Sequence, residues 1–148
     1  MTLWATIVLI AGGLFAGSVL AFAWDRVSAW RELSGDIFLR DFGHTISRAD
    51  KIQPALLVIA IASGIAFSLD SDGTSRLLGF IGVAGFVIVL FASLGVLVPL
   101  QRRMLRSPDD PDMESMRRRW FSGHIGRTVL SVLSFGLIAG AVGLSVSG

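Results

Sequence analysis

Four long stretches of this chain are nearly free of charge, and its polar residues crowd into the segments between them. The first, "LWATIVLIAGGLFAGSVLAFA" over residues 3–23, is long enough at about 1.5 Å per helical residue to cross a hydrocarbon core of about 30 Å. The run from Pro54 to Leu69 covers only about 24 Å as a helix, so its helix is expected to begin earlier, inside "HTISRADKIQ". Pro54 is then a kink in that helix, or else its first residue. Leu77–Leu100 makes a third apolar run and Thr128–Gly148 a fourth. The turn-forming cluster "SPDDP" and the acidic residues after it predict that the last helix starts near Asp112, ahead of its apolar part. The pattern predicts an all-α, four-helix transmembrane bundle in one domain, 1–148, with spans near 3–23, 46–69, 77–100 and 124–147. "AFA" at 21–23 resembles a signal-peptidase site, but no basic residue precedes the run and the run is long, so cleavage is not expected.

Composition reinforces the membrane reading. Hydrophobic residues make up 53% of the 148, and the mean hydropathy is +0.70, more apolar surface than a soluble domain of this size can bury. The absence of cysteine excludes disulfides, thiolate metal sites and cysteine nucleophiles. A net charge of +2 and a pI near 10.4 do not imply nucleic acid, because the basic residues flank hydrophobic runs. Five Lys and Arg lie in residues 24–53, one in 70–76 and seven in 101–127. The positive-inside rule makes the two rich segments cytoplasmic, with both termini and the "DSDGTSR" hairpin outside, in a multi-pass protein of the plasma membrane.

Glycines recur at spacings that let helices approach closely: Gly13 and Gly17, then Gly79, Gly82 and Gly85, then Gly136, Gly140 and Gly143. Ser63, Ser68 and Ser93 within the spans are expected to bond their own backbone. No Walker loop or dinucleotide fingerprint is present, and no span carries the polar stripe that a channel needs.

The candidate chemistry sits in two stretches, each preceding an outward-running span, so both meet at one membrane face. If the first is helical, Asp41, His44 and Arg48 share a side; in the second, Trp120, His124 and Arg127 do the same. Together they predict a pocket of two imidazoles and two guanidinium groups. The competing reading puts both histidines at the interface, Arg102, Arg103, Arg106, Arg117 and Arg118 against anionic headgroups, and Trp24, Trp30 and Trp120 in an aromatic belt.

"FLRDFGHTISRADKIQPALL" and "VPLQRRMLRSPDDPDMESMRRRWFSGHIGR" resemble the anthrone oxygenase-like family of integral membrane proteins. The resemblance implies four spans, a polar helix before the second, and a Trp-x-x-x-His/Asn-x-x-Arg signature opening the fourth. That signature falls on Trp120, His124 and Arg127, with Arg119 just before it. A looser motif falls on Phe38, His44, Arg48 and Pro54. Where many relatives carry Asn-type residues at the exit of span three, this chain has "PLQRR", which leaves Gln101 outside the pattern.

The activity implied by the resemblance is conversion of a polyphenolic anthrone to the anthraquinone with dioxygen, without metal or organic cofactor. His124 or His44 suits the general base, since a neutral imidazole can take the acidic proton of such a substrate. Arg48 and Arg127 suit clamps for the resulting negative charge. Trp120 is placed to stack on a flat substrate, with Arg119 and Asp41 beside it; Asp41 can also orient His44 or pair with Arg48.

Two other classes stay open. His44 and His124 can ligate haem from two sides, or hold a non-haem metal with Asp41 or Glu114. The chain can also be a non-catalytic accessory subunit or a binder of lipid or quinone. The partners expected are a hydrophobic small molecule and membrane lipid, with a homo-oligomer or a membrane-complex partner also compatible.

Overall fold

Thr2 begins the first helix by accepting the Ala5 N–H on its hydroxyl at 3.2 Å, an ordinary N-cap. The computed structural model describes residues 2–147, the side chain of Asp50 excepted; Met1 and Gly148, the ends of the domain expected over 1–148, lie outside the described residues. Helix α1 (Leu3–Phe22) does not stop where its apolar run ends. It passes through one π turn, Ala23–Val27, into a short α2 (Ser28–Glu32). Val27 and Trp30 are buried there while Trp24, Asp25 and Arg26 face outward, so an amphipathic extension replaces the uniformly apolar span.

Helix α3 (Gly35–Asp70) is one unbroken rod with Pro54 inside it. The polar "HTISRADKIQ" segment is helical as expected, but the helix starts at Gly35, well before it. Pro54 is not the first residue but lies inside the helix, where it lacks the N–H for one intrahelical bond and its ring crowds the carbonyl four residues earlier. The connection to α4 (Gly73–Ala92) is Ser71 and Asp72 alone, and Gly73 supplies the turn with φ +52°. Arg76 locks it, donating from Nε to the Ser71 carbonyl at 2.6 Å and from Nη2 to the Leu69 carbonyl at 3.3 Å, a cation on the orphan carbonyls of α3.

A second π turn, Ser93–Leu97, carries α4 into α5 (Val98–Arg106), and α6 (Met113–Ser147) follows the turn cluster at the expected place. In that cluster the Asp112 backbone N–H and Arg103 hold the Asp110 carboxyl below its usual range; the bond from Asp112 N to Oδ1 is 2.9 Å and the Arg103 pair 2.9 Å. Among the described residues, four helical segments are long and apolar enough to cross a membrane: Leu3–Glu32, Lys51–Asp70, Gly73–Arg106 and Met113–Ser147. Among the described residues there is no strand.

The helices form a ring in which α1 packs on α3 and α6, and α4 packs on the same two. Val8, Phe15, Val19, Leu57, Val83, Phe86 and Ile138 fill the middle, while Leu14, Ile59, Phe91, Val129 and Leu133 point outward, as lipid allows. Close approach of α4 to α6 depends on Gly82, where a Cβ would lie 2.6 Å from Ile138 Cγ1 and 2.7 Å from the Ser134 carbonyl. Gly79 and Gly85 are similarly tight, against Ser68 and Ser134, and Gly64, absent from the expected set, meets Val83. Gly13 is in contact with Phe135. The expectation fails for Gly17, Gly136, Gly140 and Gly143, where a Cβ would meet nothing within 4 Å. Spacing alone does not tell which side of a helix its neighbour occupies.

A candidate site at the arginine-rich end

The aromatic cluster at the arginine-rich end is set by the i, i+4 period of two helices. Phe38, Phe42 and Ile46 line the inner side of α3, and Met116, Trp120 and His124 that of α6. Both Trp30 and Trp120 are buried in this cluster, which corrects the aromatic-belt reading for them; Trp24, 82% exposed, fits it. The Trp30 indole N–H donates to Asp41 Oδ2 at 2.6 Å, and Arg26 lies 3.6 Å from the same oxygen. Asp41 therefore serves Trp30 and Arg26, not His44 or Arg48.

His124 is fully buried. Its ring stacks on Trp120 with centroids 5.1 Å apart and planes at 13°, and Phe22 lies against it at 5.1 Å and 47°. The Val19 carbonyl of α1 lies beside the ring, yet neither nitrogen makes a hydrogen bond of ordinary geometry among the described residues. One turn later the Thr128 hydroxyl donates to the His124 carbonyl at 2.8 Å and approaches the Val19 carbonyl at 3.4 Å, which fixes α6 against α1 at this level. A buried polar group with no bond carries an energetic cost that a purely structural position rarely retains.

Arg127, three residues along the same helix, donates from Nη1 to Ser93 Oγ at 3.3 Å and from Nη2 to Gln53 Oε1 at 3.1 Å. Ser93 opens the second π turn, and such turns commonly occur where a helix re-aims a functional group. This serine breaks the expectation set for span serines, whereas Ser63 and Ser68 meet it by bonding the Ile59 and Gly64 carbonyls at 2.6 and 2.7 Å. Arg127 lines two clefts on either side of the π turn. One, of about 50 Å³, lies by Gln53, Pro54, Leu57 and Leu90; the other, of about 250 Å³, by Val89, Val96, Leu97, Gly123 and Gly126.

The pocket of two imidazoles is not formed. His44 and Arg48 are exposed on the side of α3 opposite Phe42 and Ile46, so His44 does not face His124. That arrangement does not offer the two histidines to one haem plane. Among the described residues no three His, Asp or Glu side chains gather as a metal-ligating group. Arg119 is exposed and lines a shallow cleft with Val96, Pro99 and Leu100. Arg117 is a further correction: expected at headgroups, it is buried, with Nη2 donating to the Trp30 and Leu33 carbonyls and the guanidinium 4.5 Å above the Phe38 ring. Gln101 is buried as well. Phe22, Gln53, Ser93, Trp30 and Arg117 were not readable as site or core residues; only Trp30 and Phe22 carried a signal, as aromatics where the first apolar run meets charge.

A family model described as anthrone oxygenase matches residues 42–137. The match takes in Gln53, Ser93, Trp120, His124 and Arg127 and begins after Phe38 of the looser motif. No curated protein and no solved structure matches the chain.

Proposed function

The chain belongs to the anthrone oxygenase family, and from that premise we propose that it is a membrane-embedded oxygenase acting on a flat, hydrophobic phenolic or anthrone-type substrate with dioxygen. The observation that carries the reading is the presence on α6, three residues apart, of a fully buried His124, whose ring nitrogens make no hydrogen bond of ordinary geometry among the described residues, and Arg127, a cation held by Ser93 and Gln53 at the wall of two clefts. Substrate enters sideways from the bilayer through the wider cleft, and its carbonyl or phenolic oxygen meets Arg127. His124 takes the acidic C–H proton as the Phe22 ring swings from the imidazole face. The carbanion left behind delocalises onto the oxygen that Arg127 holds, and this charge stabilisation is worth most where water is excluded.

Dioxygen then oxidises that carbon. A C–O bond forms, giving a peroxide, and the O–O bond breaks as the second C–H proton is lost, so one anthrone and one dioxygen yield one quinone and one water. Trp120 positions the imidazole by stacking on it, and does not itself present a free face to substrate. His44, Arg48, Asp41 and Arg119 stand outside this scheme. The proposed location is the plasma membrane, and the positive-inside rule supports an arginine-rich end that faces the cytoplasm.

The test is oxygen uptake and quinone absorbance in purified, lipid-reconstituted protein given an anthrone. His124→Phe keeps the ring stack and hence the folded yield, and is expected to lower turnover at least about a hundredfold, the usual scale of a lost general base. Arg127→Gln should lower it similarly. Undiminished turnover in both variants overturns the assignment.

A further inference from the structure

Another cleft opens at the arginine-rich end between α2 and the first turns of α6, apart from the two beside Arg127. It encloses about 530 Å³ and is lined by Arg31, Glu114, Arg117, Arg118, Phe121 and Ser122. Three guanidinium groups face one carboxylate there, so the cleft is cationic. Arg117 forms its fixed wall: the bonds to the Trp30 and Leu33 carbonyls and the Phe38 ring beneath hold its fork rigid, while Glu114 reaches it at only 3.8 Å. Arg31 and Arg118 are exposed and form no ion pair among the described residues. The Ser122 side chain, also exposed, adds a hydroxyl.

A fixed guanidinium charge in the wall, two exposed forks free to close, and a hydroxyl form the set that a phosphate recruits. The depth agrees. Arg118 stands about 13 Å along α6 from Arg127, which places it at headgroup level when Arg127 lines clefts among acyl chains. The geometry points to a phosphate-binding site at this cleft, occupied by the headgroup of an anionic phospholipid. The inference is independent of the oxygenase reading, and its test measures no turnover.

The full chain is purified in a neutral detergent and its thermal unfolding followed against phosphatidylglycerol, phosphatidylcholine or inorganic phosphate. Phosphatidylglycerol is expected to raise the midpoint saturably, phosphatidylcholine to do so weakly, and inorganic phosphate to need at least about tenfold higher concentration, since it lacks the acyl chains that confine the lipid. Arg31→Gln with Arg118→Gln leaves the fold intact, both side chains being exposed, and lowers the apparent affinity for phosphatidylglycerol by about tenfold or more. Arg102→Gln with Arg106→Gln removes equal charge from exposed positions elsewhere and leaves that affinity unchanged. Equal response to the two lipids, unchanged affinity in the first double variant, or the same loss in the second overturns the site. Inorganic phosphate matching the lipid overturns the lipid as its occupant.

Discussion

Three consecutive arginines, identical in sequence, have three different fates. A step of about 100° per residue turns Arg117 into the core, Arg118 into the cationic cleft and Arg119 toward Pro99 and Leu100. Only the first is bound by the fold. Its Nη2 satisfies the carbonyls of Trp30, in α2, and of Leu33, just past its end, and replacing it leaves those acceptors without their buried donor. Arg117→Ala is therefore expected to cost about 2–4 kcal/mol, the sum of a lost charged donor and a lost cation–π contact, and Arg117→Lys to recover little, since an ammonium cannot reproduce the fork. Arg119→Ala should stay within about 0.5 kcal/mol. Thermal unfolding of the three variants in one detergent checks the order. Equal midpoints for Arg117→Ala and Arg119→Ala would remove Arg117 from the core.

At the scale of helices, what the sequence disclosed depended on whether lipid or neighbouring protein dictates a position. Lipid demands length and hydropathy, so all four spans were legible. The polar extensions were harder, because charges on the outer side of α2 and α3 mask Val27, Trp30, Phe38 and Phe42 on the inner side. The rotation of α3 was nonetheless written in Phe38, Phe42 and Ile46: an apolar row at i, i+4, i+8 turns inward, and His44, two residues from Phe42, must then turn outward. His124 follows the opposite logic, one turn after Trp120 on a buried row. Ser93 and Gln53 as partners of Arg127 could not be foreseen, since a π turn and a proline-bearing rod set their directions. The glycines show the same limit and give a paired test. Gly82→Ala drives a methyl into Ile138 and the Ser134 carbonyl and should cost about 1–3 kcal/mol, while Gly136→Ala, facing open space, should be neutral or gain up to about 1 kcal/mol of helix propensity. Unfolding midpoints that fall equally in both would mean that α4 and α6 do not meet at Gly82.

For the molecule as a whole, the unequal distribution of cations predicts how the bundle sits in a membrane. Twelve of the thirteen Lys and Arg lie toward the Trp30–Trp120 end, and Arg76, in the first turn of α4, lies at the other. Moving the rich end across a bilayer means moving many guanidinium groups through hydrocarbon, so the rich end is expected to stay on the cytoplasmic side. On the proposed function, the same asymmetry predicts that the two clefts beside Arg127 take a membrane-dissolved substrate from the cytoplasmic leaflet, the one whose anionic lipid phosphates would face the Arg31–Arg118 cleft. The natural chain lacks cysteine, so a single introduced thiol reports its own position without background. Thr74 in the first turn of α4 and Asp109 between α5 and α6 are both exposed, and the helix pair α4–α5 separates them by one crossing. In intact cells a membrane-impermeant maleimide is expected to label Thr74→Cys at once and Asp109→Cys only after permeabilisation. The reverse pattern keeps the crossing and inverts the bundle, defeating the charge argument. Labelling of both from outside rules out α4–α5 as a span, and with it the membrane placement of the clefts around Arg127.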